Sequence, residues 1–243
     1  MDVIGEGSYG TVRVHKDNSN WVVKSIPFHT ASSIEKSDLL QKLSESHHYL
    51  ARVYNISIDK HQNERMIFIT MKRYEGDVHQ YIQAKNSSLS LSETLELEKQ
   101  IGSALKFLHM NDILHADIKP QNILYDDKMN FYLTDFSISV NMKQERIHGA
   151  KQLYSGWFRP SVLNYNDQVK DFCLRAEFDY YALFMTLCYV HQNFILHQED
   201  TSLYKCIVTC WQFKKVKFPK LISTVYKNVV YKSEYVRAFN VCF

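Results

Sequence analysis

The N-terminal part of the chain alternates between apolar and polar residues, as β-strands with one buried face do. Residues 1–30 have this pattern, with Val12 and Val14 flanked by polar residues. Two further strands are predicted at Ala51–Asp59 and Arg65–Met71, joined by a short polar turn. This part of the chain is therefore expected to form a small sheet of strands that are neighbours in sequence.

Helical spacing of apolar residues interrupts and then replaces the strand pattern. A helix is predicted at Ser33–Ser46, and beyond a seam near Lys72–Gly76 the pattern is mainly helical. Ser90 and Glu93 have the spacing of a capping box, and the apolar segment Asp179–His191 indicates a buried helix. We therefore expect an α+β protein with a strand-rich lobe followed by a mainly helical lobe.

Charge and composition exclude several classes of partner. The formal net charge of +3 is too small to indicate nucleic acid, and the basic run at 214–220 is interpreted as a solvated surface. The longest apolar segment, Tyr180–Val190, is too short to cross a bilayer, so no membrane association is expected. Five cysteines without the spacing of metal ligands indicate reduced thiols, and hence a protein of the cytoplasm or nucleus.

Three glycines near the N-terminus have the pattern Gly5-x-Gly7-x-x-Gly10 between two predicted strands. Glycines permit a tight loop whose backbone N–H groups approach phosphate oxygens closely. The pattern is not that of a dinucleotide-binding fold, because a strand rather than a helix follows it. Lys24, on the next strand, is placed to bind phosphates. A plain glycine hairpin and a solvated lysine at a strand end are the alternatives.

The segment His115–Asn122 brings a carboxylate, an ammonium group and an amide close together after a predicted helix. Asp117 is suited to accept a hydroxyl proton, Lys119 to neutralise a transferring phosphoryl group and Asn122 to bind a metal ion. Asp135 follows a predicted strand and adds a second oxygen ligand of the kind that Mg²⁺ prefers. Each residue alone is typical of a turn or a helix cap, but the four in this order indicate phosphoryl transfer.

With these motifs together, the sequence resembles the eukaryotic-type protein kinases over nearly the whole chain. His115–Asn122 matches the catalytic loop of that family, and Asp135 with Phe136 matches its metal-binding motif. Asp179 matches the residue that braces the catalytic loop. The pair Lys119-Pro120 is typical of kinases that act on serine or threonine, and Ser155 takes the place of a substrate-site threonine.

The resemblance implies a bilobal fold with a small antiparallel β-sheet lobe that includes a helix C, and a mainly helical, shortened C-terminal lobe. The N-terminal lobe would span about 1–71, the hinge about 72–76 and the C-terminal lobe about 77–243, as a single domain. The resemblance also implies ATP as the phosphoryl donor and Mg²⁺ as the cofactor, with Mn²⁺ as an alternative metal. The expected partner is a protein with a serine or threonine acceptor.

Site residues are implied by the same alignment of motifs. Asp117 and Lys119 are the implied catalytic residues, and Asn122 and Asp135 are the implied metal ligands. The implied ATP-binding residues are Gly5, Glu6, Gly7, Ser8, Gly10, Val12, Lys24, Met71, Lys72, Tyr74, Asp77 and Leu124. Glu35 is the implied helix-C partner of Lys24, although the leucine pattern fits position 36, which is a lysine, slightly better, and Glu45 is a further alternative.

Several positions depart from the family pattern. Ala116 replaces an arginine that usually binds a phosphorylated loop, and Ser137 replaces the glycine after Asp135-Phe136. Ser161 stands where a glutamate usually anchors the activation segment. These departures and the short chain resemble the compact kinases of large DNA viruses, in which case the protein would act inside the host cell.

The main hypothesis is an active, monomeric serine/threonine kinase, because Lys24, Asp117, Lys119, Asn122 and Asp135 are all retained. The alternative is a pseudokinase that serves as a binding or decoy module, as the departures from the family pattern would allow. A third hypothesis is a kinase of small molecules, which would phosphorylate a metabolite and no protein.

Overall fold

The N-terminal lobe is a sheet of five antiparallel strands in the order β1-β2-β3-β5-β4. The computed structural model describes residues 2–7, 10–28, 41–61, 64–143, 153–155, 158–159 and 175–192. The strands are β1 (Val3–Gly7), β2 (Gly10–Val14), β3 (Trp21–Pro27), β4 (Val53–His61) and β5 (Glu64–Lys72). The predicted strands of this lobe are therefore confirmed, with ends that differ by a few residues.

The sheet is held by an apolar cluster on one of its faces. Val22, Val53, Ile67 and Met71 are all at most 7% exposed and pack together from three strands. Met71 of β5 is paired with Val22 of β3 on one side and with Val53 of β4 on the other, and Ile67 lies four positions earlier on β5, so the four side chains share one face of the sheet. Lys24 lies two positions after Val22 on β3 and therefore on the same face, and both residues line the cleft described below.

Gly10 begins β2 at a place where no side chain fits. Its φ of +152° lies in a region that residues with a Cβ rarely adopt, and an added Cβ would overlap the backbone carbonyl oxygen of Ser25. The close approach of β2 to β3 therefore requires glycine at this position, whatever the turn before it binds.

The second part of the chain contains helices and short strands. They are β6 (Gly76–Asp77), α1 (Val78–Lys85), α2 (Leu91–Met110), β7 (Ile113–Leu114), a 3₁₀ helix (Pro120–Asn122), β8 (Ile123–Tyr125), β9 (Phe131–Leu133), β10 (Val140–Asn141) and α3 (Glu177–Gln192). Strands β6, β8 and β9 form one small sheet, and β7 pairs with β10. The pairing of β6 with β8 places Asp77 beside Leu124, and both of these residues line the cleft described below.

Helix α2 begins with the predicted capping box. The Glu93 N–H donates to Ser90 Oγ at 3.2 Å, and the Ser90 N–H donates to Glu93 Oε2 at 2.8 Å. Further along, Leu97, Ile101 and Leu105 are fully buried in the core of this lobe, to which α3 also contributes. The buried apolar helix predicted at Asp179–His191 is α3 and starts two residues earlier than expected.

The two lobes are joined by main-chain hydrogen bonds as well as by the connecting segment. The Ala51 N–H donates to Leu133 O at 2.9 Å, and the Leu133 N–H donates to Tyr49 O at 2.8 Å. After β5, the Glu75 N–H donates to Tyr125 O at 3.0 Å. These bonds attach the segment before β4 and the segment after β5 to the β8–β9 hairpin, which carries residues of the cleft.

The α+β fold class is confirmed, with an antiparallel N-terminal sheet and helical elements after it. Residues 41–46 form the end of the helix predicted at Ser33–Ser46, whereas Glu35 lies outside the described residues. The predicted shortening of the C-terminal lobe concerns a segment that is likewise outside them. Within the described part of the chain, no helix combines the length and the apolar character needed to cross a bilayer.

Candidate active site

A cleft of about 720 Å³ lies between the sheet and the second lobe. Its volume is in the range that small-molecule sites have. Among the predicted site residues, those that line it are Gly5, Glu6, Gly10, Val12, Lys24, Met71, Lys72, Tyr74, Asp77, Lys119, Asn122, Leu124, Asp135 and Ser155. The fold therefore brings together residues that are separated by up to 150 positions in the sequence.

Asp117 lies at the base of this cleft, 2% exposed, and both of its carboxylate oxygens accept hydrogen bonds. Oδ1 accepts from the Ser155 hydroxyl at 2.8 Å. Oδ2 accepts from Asn122 Nδ2 at 2.8 Å and lies 2.7 Å from Lys119 Nζ. Lys119 Nζ also donates to Ser155 Oγ at 3.1 Å, which closes a compact polar cluster of four side chains. The arrangement holds one carboxylate in a single orientation next to a cation.

The orientation of Asn122 follows from its neighbours. Its Nδ2 donates both to the main-chain oxygen of Asp117 and to the carboxylate of Asp117, each at 2.8 Å. Both neighbours are acceptors, so the amide must direct its nitrogen toward them and its oxygen away. Since Asn122 also lines the cleft, its Oδ1 is suited to serve as an oxygen ligand there.

Lys24 and Asp135 form an ion pair across the cleft, with 2.9 Å between Nζ and Oδ1. Burial acts to raise the pKa of Asp135, but the charge and hydrogen bond of Lys24 outweigh it and hold the pKa below the ordinary value. The next residue, Phe136, is 7% exposed, and its ring centroid is 4.8 Å from that of His115. Packing of Phe136 in the core therefore directs Asp135 toward the cleft.

Asp179 supports the catalytic loop from α3, as predicted. It is fully buried and accepts hydrogen bonds from the His115 N–H at 2.9 Å and the Ala116 N–H at 3.0 Å. The Tyr154 hydroxyl and His109 Nε2 complete its contacts, each at 2.9 Å. Burial acts to raise the pKa of Asp179, but the His109 hydrogen bond and the surrounding donors lower it below its usual range.

The last residue of β5 and the segment after it form one wall of the cleft. The Lys72 N–H donates to Arg52 O at 2.9 Å, and the Arg73 N–H donates to Asn20 O at 2.8 Å. The Tyr74 hydroxyl accepts from the Arg52 N–H at 3.1 Å, and burial raises the pKa of Tyr74 to about 12, so the phenol is neutral. These bonds hold residues 72–74 against Arg52 on one side and Asn20 on the other.

The sequence of residues 1–236 matches the family described as "Protein kinase domain". This match covers nearly the whole chain and agrees with the two-lobed arrangement around the cleft. The chain belongs to the protein kinase family. Its relatives include kinases that are named for serine and threonine.

Three relatives illustrate the similarity of this kinase to others. Serine/threonine-protein kinase pakG of Dictyostelium discoideum is 30% identical over 176 residues, which are 68% of this chain and 14% of that protein. CTD kinase subunit alpha of Saccharomyces cerevisiae is 29% identical over 180 residues (68% and 33%). Cyclin-dependent kinase 1 of Encephalitozoon cuniculi is 28% identical over 178 residues (67% and 57%). The chain covers less than two thirds of the length of each of these relatives.

The cleft of the kinase contains residues that the sequence reasoning did not identify. His79, Gln80 and Gln83 reach it from α1, and Phe158 reaches it from the segment after Ser155. The available signal was the spacing on α1: Gln80 and Gln83 are three positions apart and so share one face of the helix, and Gln80 follows the N-cap residue Asp77 by three positions. Phe158 had no local signal, since its place depends on contacts with α3.

Some predicted residues of the kinase are not on the wall of the cleft or are not described. Asp117 lies below it, covered by Lys119 and Ser155. Gly7 ends β1, next to the cleft-lining residues Gly5 and Glu6. Ser8 and Glu35 lie outside the described residues. The observed partner of Lys24 is therefore Asp135, and the predicted ion pair with Glu35 stays a prediction.

The donor set of the cleft fits Mg²⁺ bound together with phosphates. Asp135 supplies a carboxylate and Asn122 an amide oxygen, and Mg²⁺ commonly takes one or two such protein ligands plus phosphate oxygens. In the described residues, no group of three or more His, Cys, Asp and Glu side chains forms a closed metal cage. Lys24 is the positive charge on the opposite wall.

Acidification is expected to destabilise this kinase, starting below the ordinary histidine pKa. His115 Nε2 faces the Thr134 carbonyl at 3.0 Å and Nδ1 faces the Asp117 N–H at 3.3 Å, so the neutral ring satisfies both. Burial, the largest influence, lowers the pKa of His115 below 6.5, and the pKa of Asp179 is also lowered. The folded state therefore binds fewer protons than the unfolded state.

The stability contributed by His115 should be complete above about pH 6.5 and decline as the pH falls; that of Asp179 should decline below about pH 3.8. Urea unfolding at pH 7.5, 5.5 and 4 measures this decline. The variant His48→Asn, which alters an exposed histidine outside this cluster, should retain the decline attributed to His115 and Asp179. A free energy of unfolding that increases between pH 7.5 and 5.5 would contradict the prediction.

Proposed function

We propose that this protein is an active serine/threonine protein kinase that transfers the γ-phosphoryl group of ATP to a hydroxyl group of a protein. The observation that carries the proposal is the hydrogen-bonded cluster of Asp117, Lys119, Asn122 and Ser155 at the base of the cleft. A buried carboxylate in a fixed orientation, next to a lysine and below a cleft of small-molecule size, is suited to activating an acceptor hydroxyl.

Each residue has a role that follows from its place. Asp117 orients the acceptor hydroxyl and takes its proton as the new O–P bond forms and the bond to ADP breaks. Lys119 neutralises charge on the transferring group, and Lys24 holds the phosphates on the opposite wall. Bound Mg²⁺ would neutralise phosphate charge, held by Asn122 and Asp135.

The adenine ring would lie at the back of the cleft against Val12, Met71 and Leu124, with Tyr74 offering backbone groups. Asp77 lies where the ribose hydroxyls would be, at the N-terminus of α1. Burial raises the pKa of Asp77, and the hydrogen bond from the Gln80 N–H partly offsets this effect. Above its pKa, Asp77 is a carboxylate that can only accept hydrogen bonds. We also propose that the chain acts as a monomer inside a cell. On the basis of Ala116, Ser137 and Ser161, we propose that its source is a large DNA virus.

The test is phosphoryl transfer from radiolabelled ATP with Mg²⁺ to a degenerate library of serine-, threonine- and tyrosine-containing peptides. Label is expected on serine or threonine, and Lys24→Met should lower the rate by about 10²-fold or more, since it removes a charge that stabilises the phosphates. Lys128→Met, an exposed lysine on the β8–β9 turn, is the matched control and should retain the wild-type rate.

The alternatives give different results in the same assay. If wild type and Lys24→Met label nothing above background, the protein is a binding module rather than an enzyme. If label appears only in small molecules of a metabolite extract, the chain is a small-molecule kinase. Label on tyrosine alone would contradict the proposed acceptor.

A further inference from the structure

Tyr154 has a backbone conformation that its side chain disfavours. Its φ is +60°, in the left-handed region that glycine adopts easily and a bulky residue rarely does. The residue is also 4% exposed and packs in the core of the second lobe. A buried tyrosine is retained in a strained conformation only where surrounding contacts hold it there. The contacts of Tyr154 therefore indicate what its conformation serves.

Both the backbone and the side chain of Tyr154 bind the base of the active site. Its N–H donates to Ala116 O at 2.7 Å. Its hydroxyl donates to Asp179 Oδ1 at 2.9 Å, and the same oxygen accepts the Ala116 N–H at 3.0 Å. Tyr154, Ala116 and Asp179 thus form a closed ring of hydrogen bonds that joins three separate parts of the chain.

The residue after Tyr154 is the one that contacts Asp117. Ser155 Oγ donates to Asp117 Oδ1 at 2.8 Å and accepts from Lys119 Nζ at 3.1 Å. Since Ser155 follows directly in the chain, any displacement of Tyr154 moves the Ser155 hydroxyl relative to Asp117. Tyr154 is consequently linked to the Asp117 carboxylate through the peptide bond to Ser155 and the hydrogen bond from the Ser155 hydroxyl.

We propose that Tyr154 is a positioning residue whose hydroxyl, by binding Asp179, holds Ser155 against Asp117 and so keeps the segment 153–155 in its active arrangement. The proposal rests on the proposed kinase function for its catalytic readout. The side chain of Ala116 is only a methyl group and is fully buried, so the contact with segment 153–155 is made by its backbone. Asp179 Oδ1 therefore accepts a main-chain hydrogen bond from Ala116 and a side-chain hydrogen bond from Tyr154.

A purely space-filling role for the Tyr154 ring makes a different prediction. Phenylalanine keeps the ring and its packing and removes only the hydroxyl. A space-filling residue would therefore tolerate Tyr154→Phe, whereas a positioning hydroxyl would not. Glycine removes both the ring and the conformational strain, so Tyr154→Gly tests whether the side chain has any role beyond occupying a place that suits glycine.

The experiment compares Tyr154→Phe, Tyr154→Gly and Tyr132→Phe with the wild type. Tyr132 is the matched control, because its hydroxyl donates to a carboxylate oxygen of Asp126 at 2.8 Å and it lies on β9, away from segment 153–155. Steady-state kinetics on an acceptor peptide give kcat and KM, calorimetry gives the ATP dissociation constant, and urea unfolding gives the stability of each variant.

We expect Tyr154→Phe to lower kcat/KM for the acceptor peptide about tenfold, which corresponds to about 1.4 kcal/mol of transition-state stabilisation. A tenfold loss of kcat/KM is the scale of a lost hydrogen bond to a charged group. The ATP dissociation constant of Tyr154→Phe should stay within about twofold of wild type, because the substitution does not change the residues of the ATP-binding walls. Tyr154→Gly should lose at least as much activity as Tyr154→Phe.

Wild-type kinetics for Tyr154→Phe or Tyr154→Gly would overturn the proposal, and so would equal losses in Tyr154→Phe and Tyr132→Phe. If the wild-type protein transfers no phosphate, the proposed function fails, and hydrogen exchange still decides the role of Tyr154. Faster exchange of the Ala116 and Tyr154 amides in Tyr154→Phe than in Tyr132→Phe supports the link to Asp179. Equal exchange in these two variants overturns it.

Discussion

Replacing Asp117 with asparagine is expected to lower kcat for phosphoryl transfer by about 10²–10⁴-fold, the range typical for loss of a general base. Asparagine has nearly the same shape, and its amide oxygen still accepts one of the hydrogen bonds that Ser155, Lys119 and Asn122 now donate. It cannot, however, take the proton of the acceptor hydroxyl. The loss should therefore appear in the chemical step rather than in the binding of ATP.

The measurement is a single-turnover rate together with an ATP dissociation constant for the Asp117→Asn variant. Asp127→Asn is the matched control, because Asp127 is exposed on the β8–β9 turn; its rate should equal that of wild type. An Asp117→Asn variant with more than about a tenth of the wild-type rate would exclude the assigned role of the carboxylate. An unchanged rate in both variants would also remove the main support for the proposed reaction.

Replacing Asp179 with asparagine is expected to lower the free energy of unfolding by about 3 kcal/mol, as breaking a buried charged contact commonly does. The four groups that donate to Asp179 are fully or nearly removed from water, and they come from the catalytic loop, α2 and the segment at Tyr154. An amide offers one acceptor oxygen where the carboxylate has two. At least one buried donor would be left facing an NH₂ group.

Urea unfolding and thermal melting measure this effect, and the loss should lower Tm by about 6–12 °C for a domain of this size. Asp112→Asn is the matched control. Asp112 is 39% exposed and pairs with Lys143 at 2.6 Å, so its variant should lose no more than about 1 kcal/mol. Equal losses in the Asp179 and Asp112 variants would show that Asp179 does not hold the catalytic loop in the way described.

Several features of the protein were predictable from local sequence patterns. The strand alternation, the capping box at Ser90 and Glu93 and the apolar helix around Asp179 all depend on residues that are close in sequence. Backbone periodicity determines such elements, so they can be inferred without the tertiary structure. The same holds for the family resemblance, which rests on short motifs such as His115–Asn122.

Other features depend on contacts between residues far apart in the chain. Glu35 was implied as the partner of Lys24 by the family resemblance, and no local pattern could have indicated that Lys24 would contact Asp135. His79 and Phe158 reach the cleft only because α1 and the segment after Ser155 pack near Tyr189 of α3, whose hydroxyl bonds His79 at 2.9 Å. Such contacts require the packed core and leave no periodic signal in the sequence.

The sequence by itself determined the order of the elements, the two-lobed α+β class and the set of polar residues suited to phosphoryl transfer. Only the tertiary structure decided which atoms of these residues meet. It places Ser155 on Asp117 and gives Asp179 four donors from three segments. It also holds Tyr154 in a conformation that its own side chain disfavours. The physical reason is that local preferences set the secondary structure, whereas burial of distant polar groups requires each donor to find its acceptor within the packed fold.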